Sequence, residues 1–301
     1  MTTAPTTPQT RPIKASFSAR PTLEGAGVHL RRAFGFSEVG LFDPFLMLDD
    51  FRGDSPEQYR AGFPWHPHRG IETITYLLEG EVEHGDSMGN KGVIGPGCAQ
   101  WMTAGSGIIH QEMPEGDERG RMGGFQLWAN LPASDKMRDP RYCGVEAEEI
   151  PVVEDGDASV RVLSGSVEGV SGPVSDIVTE PEYLDVTVRP GGVWTHPTAP
   201  GHTVFAYVFE GSVCFGETPT GSAADGACFG DGSVVLFGDG ESVTALATSQ
   251  GARFLLVSGR PLGEPIAWRG PIVMNTDEEL RVAFEEYHAG TFVKHDARGR
   301  V

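Results

Sequence analysis

The chain is poor in cysteine, in basic residues and in long apolar runs, and each scarcity closes off a class of protein. Four cysteines, Cys98, Cys143, Cys214 and Cys228, are widely scattered with no C-x-x-C pair, which predicts reduced thiols in a cytoplasmic protein. Lys and Arg number 23 against 42 Asp and Glu, a formal charge of −19, so direct nucleic-acid binding, which relies on cationic contacts to phosphates, is disfavoured. No run of about 18 apolar residues occurs, so no membrane span is expected. The N-terminus also lacks the charged head and apolar segment of a secretory signal.

What is present is length, glycine and histidine in pattern. At 301 residues the chain exceeds the usual single domain, and two domains are expected. Residues 1–11, MTTAPTTPQTR, have almost nothing to bury and read as a disordered tail. Short strand-like segments follow. Val28–Phe34 alternates apolar and polar residues, and Leu41–Leu48 is apolar but for Asp43-Pro44. Adjacent Arg31 and Arg32 would point to opposite faces of a strand and serve separate salt bridges.

Two short segments carry the chemistry. In His66-Pro67-His68 the histidines are two apart, so one β-strand projects both to the same side. His110-Gln111-Glu112 repeats the spacing, and the glycines of Ala104-Gly105-Ser106-Gly107 let the chain bend so that the second pair returns to the first. Three imidazoles and a carboxylate make a transition-metal site with open coordination positions. Such a set accepts several first-row ions, Fe, Mn, Ni, Cu and Zn among them. Glu72, four residues beyond His68, is placed behind the ligands, paired with Arg69. Trp101 and Met102 read as core or cavity lining, and Trp65 as a residue narrowing the cavity entrance.

The second half echoes the first. His196-Pro197-Thr198 and Tyr207–Gly211 follow the pattern of His66-Pro67-His68 and Tyr76–Gly80, which implies one antiparallel barrel per half. Thr198 and Arg253 stand where the copy would need histidines, leaving His196 and His202 as a remnant pair and no second metal site expected. The division is expected at 12–135 and 136–301. Near the end, Thr276-Asp277-Glu278-Glu279 is a capping box, with Leu280, Phe284 and Tyr287 as a helix's core face and Gly290 as its stop.

Gly62-Phe63-Pro64, His66–Gly70, Glu72-Thr73, Tyr76–Gly80, Gln100–Gly105, Gly107-Ile108, His110 and Glu112-Met113-Pro114, with Asp43–Leu46 and Val273–Thr276, resemble the pirin family of the cupin superfamily. The resemblance covers most of the chain from about residue 11. It implies an all-β bicupin, two β-barrels facing each other, with an iron-type metal held by His66, His68, His110 and Glu112 in the first and none in the second. It also implies one of two roles. The first is a quercetin 2,3-dioxygenase-like oxidoreductase acting on a flavonol-type substrate and O2, with Glu112 as general base. The second is a metal- or redox-dependent regulator of transcription or metabolic enzymes acting through a protein partner, nuclear in animals.

Overall fold

The computed structural model describes residues 9–216 and 227–295; most of the expected tail, residues 1–8, lies outside them. In chain order the strands that matter are β1 (Ile13–Ser18), β2 (Arg20–Glu24), β3 (Val28–Phe34), β4 (Phe45–Asp50), β5 (Phe63–His68), β6 (Ile71–Glu79), β7 (Glu81–Asp86), β8 (Lys91–Ile94), β9 (Ala99–Thr103), β10 (Ile108–Glu115), β11 (Gly123–Asn130) and β12 (Arg141–Val145). The helix α1 is Asp277–His288.

The chain forms two compact units that do not follow a single cut. One contains Ala19–Ile150, Asp176–Thr179 and the residues from Leu262 onward; the other runs up to Ser18 and contains Pro151–Ser175 and Glu180–Pro261. The contiguous halves expected at 12–135 and 136–301 therefore exchange their ends. The reason is pairing: β1 is antiparallel to Ser233–Phe237 in the other unit's sheet, while the α1 segment packs with the unit of the first half.

That first unit is a two-sheet sandwich. Seven strands run in the order β12-β9-β6-β11-β4-β3-β2, and four in the order β5-β10-β7-β8. Successive side chains alternate faces. Thr73, Thr75 and Leu77 of β6 thus face the smaller sheet, while Glu72, Ile74 and Tyr76 face away. Arg31 and Arg32 also split, Arg31 to Asp50 at 2.6 Å and Arg32 to Asp49 at 2.8 Å, as the sequence suggested. The α1 cap is the expected one, with Thr276 Oγ1 accepting from the Glu279 N–H at 3.2 Å. Its buried residues, however, are Leu280 and Ala283. Phe284 is half-buried and Tyr287 exposed, so the apolar stripe is narrower than its aromatics implied.

The other unit has a nine-stranded sheet over a core that includes Val186, Trp194, Val208, Phe254 and Leu256. Two expectations change here, and two non-ligand residues gain partners. Arg11, assigned to the tail, is 1% exposed, and its guanidinium donates to Thr198 Oγ1, Ala199 O and Gly238 O at 2.7 to 2.8 Å. Five donors in a fixed fork can tie a segment that has no apolar residue to bury. Thr198 is thus a partner of Arg11, and Arg253 is a partner of Asp185 at 2.7 Å. Finally, Cys214 and Cys228 are joined in a disulfide, overturning four reduced thiols. They are direct cross-strand partners, a register that their spacing of 14 does not reveal.

Candidate metal centre

The antiparallel pairing of β10 with β5 sets His110 opposite His66 and Ile108 opposite His68. One strand pair therefore presents three imidazoles on one face, with a potential ligand atom of each within 4.8 Å of the others. Glu112 is on the same strand, but β10 shifts register against β5 between His110 and Glu112. The Glu112 carboxylate lies outside the three-histidine cluster and accepts a hydrogen bond from Thr75 Oγ1 at 3.0 Å. The fourth expected donor is thus nearby, engaged with the facing sheet.

Proton positions follow from the partners. His66 Nδ1 is 2.9 Å from Pro64 O and His68 Nδ1 is 3.0 Å from Pro271 O. A carbonyl only accepts, so each Nδ1 carries the hydrogen and each neutral ring keeps its lone pair on Nε2. Those Nε2 atoms are 3.0 Å apart. Burial pushes His68 and His110 well below the usual imidazole range, and neighbouring imidazoles push further, so a shared proton is disfavoured. Both ring nitrogens of His110 are buried without a partner. Opposed lone pairs and an orphaned imidazole are what a donor set for a soft or borderline cation looks like, and the residues fit one.

The support is drawn from distant sequence. After His68 the chain turns at Gly70, φ +76°, where a Cβ would sit 2.0 Å from Val273 O; only glycine allows that approach. Lys136, 1% exposed, donates to Gly70 O, Asn130 Oδ1 and Val273 O at 2.7 to 3.0 Å. Arg69 donates to Ser106 O at 2.7 Å and Phe292 O at 3.0 Å, and pairs with Glu286 of α1 at 2.7 Å. This corrects the expected Arg69–Glu72 pair. The turn at Gly70 starts β6 afresh and sends Glu72 to the outer face, where Trp101 Nε1 and Thr103 Oγ1 donate to it at 3.1 and 2.8 Å.

Beside the histidines opens a cavity of about 660 Å³ whose wall includes His66, His68, Glu112, Phe63, Trp128 and Trp268. That size suits a small organic ligand. Met102 is core, and Trp65 is 52% exposed and outside the cavity wall.

Residues 27–129 match the Pirin family and residues 183–293 the pirin C-terminal cupin domain. The chain belongs to the pirin family. A pirin-like protein of Caulobacter vibrioides is 46% identical over 284 residues, covering 94% of this chain and 99% of the relative. Pirin-like protein 2 of Arabidopsis thaliana is 42% identical, covering 93% of this chain and 85% of the relative. Among solved structures, the crystal structure of a quercetin 2,3-dioxygenase from Acinetobacter baumannii superposes with a TM-score of 0.84 at 30% identity, covering 94% of this chain and 98% of that one. The bicupin, all-β fold read from the sequence is the fold of this family. Among the described residues, no helix is long and apolar enough to cross a membrane.

Lys136 and the carbonyl of Pro271 were invisible to sequence reasoning. Lys136 sits in a polar stretch that reads as a linker, and Pro271 is 203 residues from His68.

Proposed function

We propose that this pirin-family chain is a metal-dependent dioxygenase that opens the ring of flat, hydroxylated aromatic substrates of the flavonol kind. The observation that carries the reading is the pair of Nε2 lone pairs facing each other at 3.0 Å on the wall of an aromatic-lined cavity. The likeness to a protein described as a quercetin 2,3-dioxygenase supports it. His66, His68 and His110 would hold the ion, with Glu112 joining by turning from Thr75. A bound divalent ion, iron first, would supply Lewis acidity to a substrate hydroxyl and redox access to O2.

The rest falls to the chain's own residues. When its carboxylate is turned to Thr75 Oγ1 on the cavity wall rather than to the ion, Glu112 is placed to take the proton of the substrate hydroxyl. Phe63, Trp128 and Trp268 flank the space where rings would lie and keep water from the reacting carbon. The Pro64 and Pro271 carbonyls keep His66 and His68 in the tautomer whose Nε2 lone pair would be free for an ion.

Protein loaded with graded amounts of Fe(II), or with another first-row ion, should consume quercetin in air at a rate proportional to bound metal. Consumption no faster than that of the free ion at equal concentration would end the reading. A pH prediction follows from His68 and His110. Their protonation is depressed, so the neutral, ligating form persists below the ordinary imidazole value of about 6.5. Metal per chain after desalting should therefore stay unchanged from pH 7.5 down to about 6, and a half-loss close to 6.5 would count against the buried site.

A further inference from the structure

The cavity wall carries a polar band that runs from the metal centre to a part of the cavity the centre does not use. Arg32, Asp49, Gln126 and Thr75 are successive cross-strand partners on β3, β4, β11 and β6, and all four line the cavity. The positions two residues away on the same strands, Leu30, Met47 and Trp128, line it too and are apolar. The band begins beside the histidines, where Thr75 Oγ1 donates to Glu112 Oε1 at 3.0 Å and lies 2.8 Å from the Gln126 side-chain amide. It ends at Asp49, 3% exposed, whose two oxygens each accept from Arg32 at 2.8 Å. The third Arg32 nitrogen reaches Glu24 at 2.8 Å. Burial pushes the Asp49 carboxyl up to about 6.

The chemistry of that end is specific. Each Asp49 oxygen keeps a second acceptor position. Its charge is already matched by Arg32, so a cationic ligand group gains little there, and an anionic one would meet both Asp49 and Glu24. A neutral donor, a hydroxyl, is what fits. Strands are spaced about 4.8 Å apart, and two spacings separate Thr75 from Asp49, so the two ends of the band lie about 10 Å apart. A one-ring phenol cannot span that distance.

We propose that Asp49, held by Arg32, accepts a hydrogen bond from a substrate hydroxyl remote from the histidines, so that the cavity selects multi-ring aromatics hydroxylated at both ends. For the near end this rests on the oxygenase reading above; for the far end it stands on the band alone.

The test uses the metal-loaded protein with two ligands, quercetin and 3-hydroxyflavone, which has no distal hydroxyls. Dissociation constants are measured without oxygen by fluorescence quenching, and kcat/KM in air. Wild type should prefer quercetin by ~10–100-fold in Kd, and Asp49→Asn should bring the ratio towards 1 while changing 3-hydroxyflavone binding less than about 3-fold. If Asp49→Asn does not fold because Arg32 is left uncompensated, the double variant Arg32→Met, Asp49→Asn leaves no unpaired charge and should show the same collapse of the ratio. Wild type binding both ligands equally, or variants that weaken both equally, overturns the assignment. Failure to consume either ligand ends the oxygenase reading and leaves the Kd ratio to decide Asp49.

Discussion

Replacing His110 with leucine should strip the metal from the centre and leave the metal-free protein at least as heat-stable as its parent. His110 is 1% exposed, and neither ring nitrogen has a hydrogen-bond partner. In the absence of an ion the fold therefore carries a desolvated polar ring with nothing in return, a penalty of about 1–3 kcal/mol. Leucine is of similar volume and has no polar atom to satisfy, so the substitution removes the penalty with little repacking. His66, His68 and Glu112 remain, but two imidazoles with a carboxylate hold a first-row ion more weakly than three with one. Metal per chain should fall at least tenfold and quercetin turnover should fall to background. The melting temperature of the apo form should be unchanged or higher by a few degrees, using about 2–4 °C per kcal/mol. The decisive measurement is calorimetry of chelated wild type beside the variant. If the apo variant melts several degrees lower, the imidazole is held by protein contacts and not reserved for an ion, and the argument from its orphaned nitrogens collapses.

The contrast between what was legible and what was not follows the range of the interactions. His66-Pro67-His68 could be read because a strand's two-residue period is local, and Thr276 with Glu279 because a cap is. The pairing of β5 with β10 was accessible through the glycines that carry the chain back between them. Glu112 shows the limit. Its spacing from His110 is right, yet the register shift in β10 and the hydroxyl of Thr75 on the facing sheet decide where the carboxylate rests. Proximity in sequence pairs Arg69 with Glu72, whereas its partners are Ser106 O, Phe292 O and Glu286, beyond any local pattern. The same holds for Arg11 and for Cys214 with Cys228, whose roles depend on which strands meet.

Lys136→Met should give a large stability loss, because Met leaves three buried acceptors without their donor. The ammonium is 1% exposed and donates to three oxygens from three separate segments, Gly70 O, Asn130 Oδ1 and Val273 O. Burial pushes it down to about 7, against the pull of the Glu264 and Glu279 carboxylates. Methionine matches the stem but offers no donor, and each abandoned buried acceptor costs about 1–3 kcal/mol. Gly70 O also accepts weakly from Leu131 N at 3.4 Å, which places the total at about 3–5 kcal/mol rather than at the sum. The transition of the unit that carries the centre should move down by roughly 6–20 °C. The loss should reach the metal as well. Gly70 ends the turn that aims His68, and Val273 N donates to Arg69 O at 3.1 Å, two residues beyond the Pro271 carbonyl that fixes the His68 tautomer. Loosening that junction should weaken metal binding by ~10–100-fold, the size seen when groups supporting a ligand are removed, with the stoichiometry at saturating metal intact. Competition with a chelator separates these two quantities. A variant that melts within a degree of wild type and holds metal as tightly would mean that the three oxygens find water instead, and that Lys136 is only a spacer under the ligand turn.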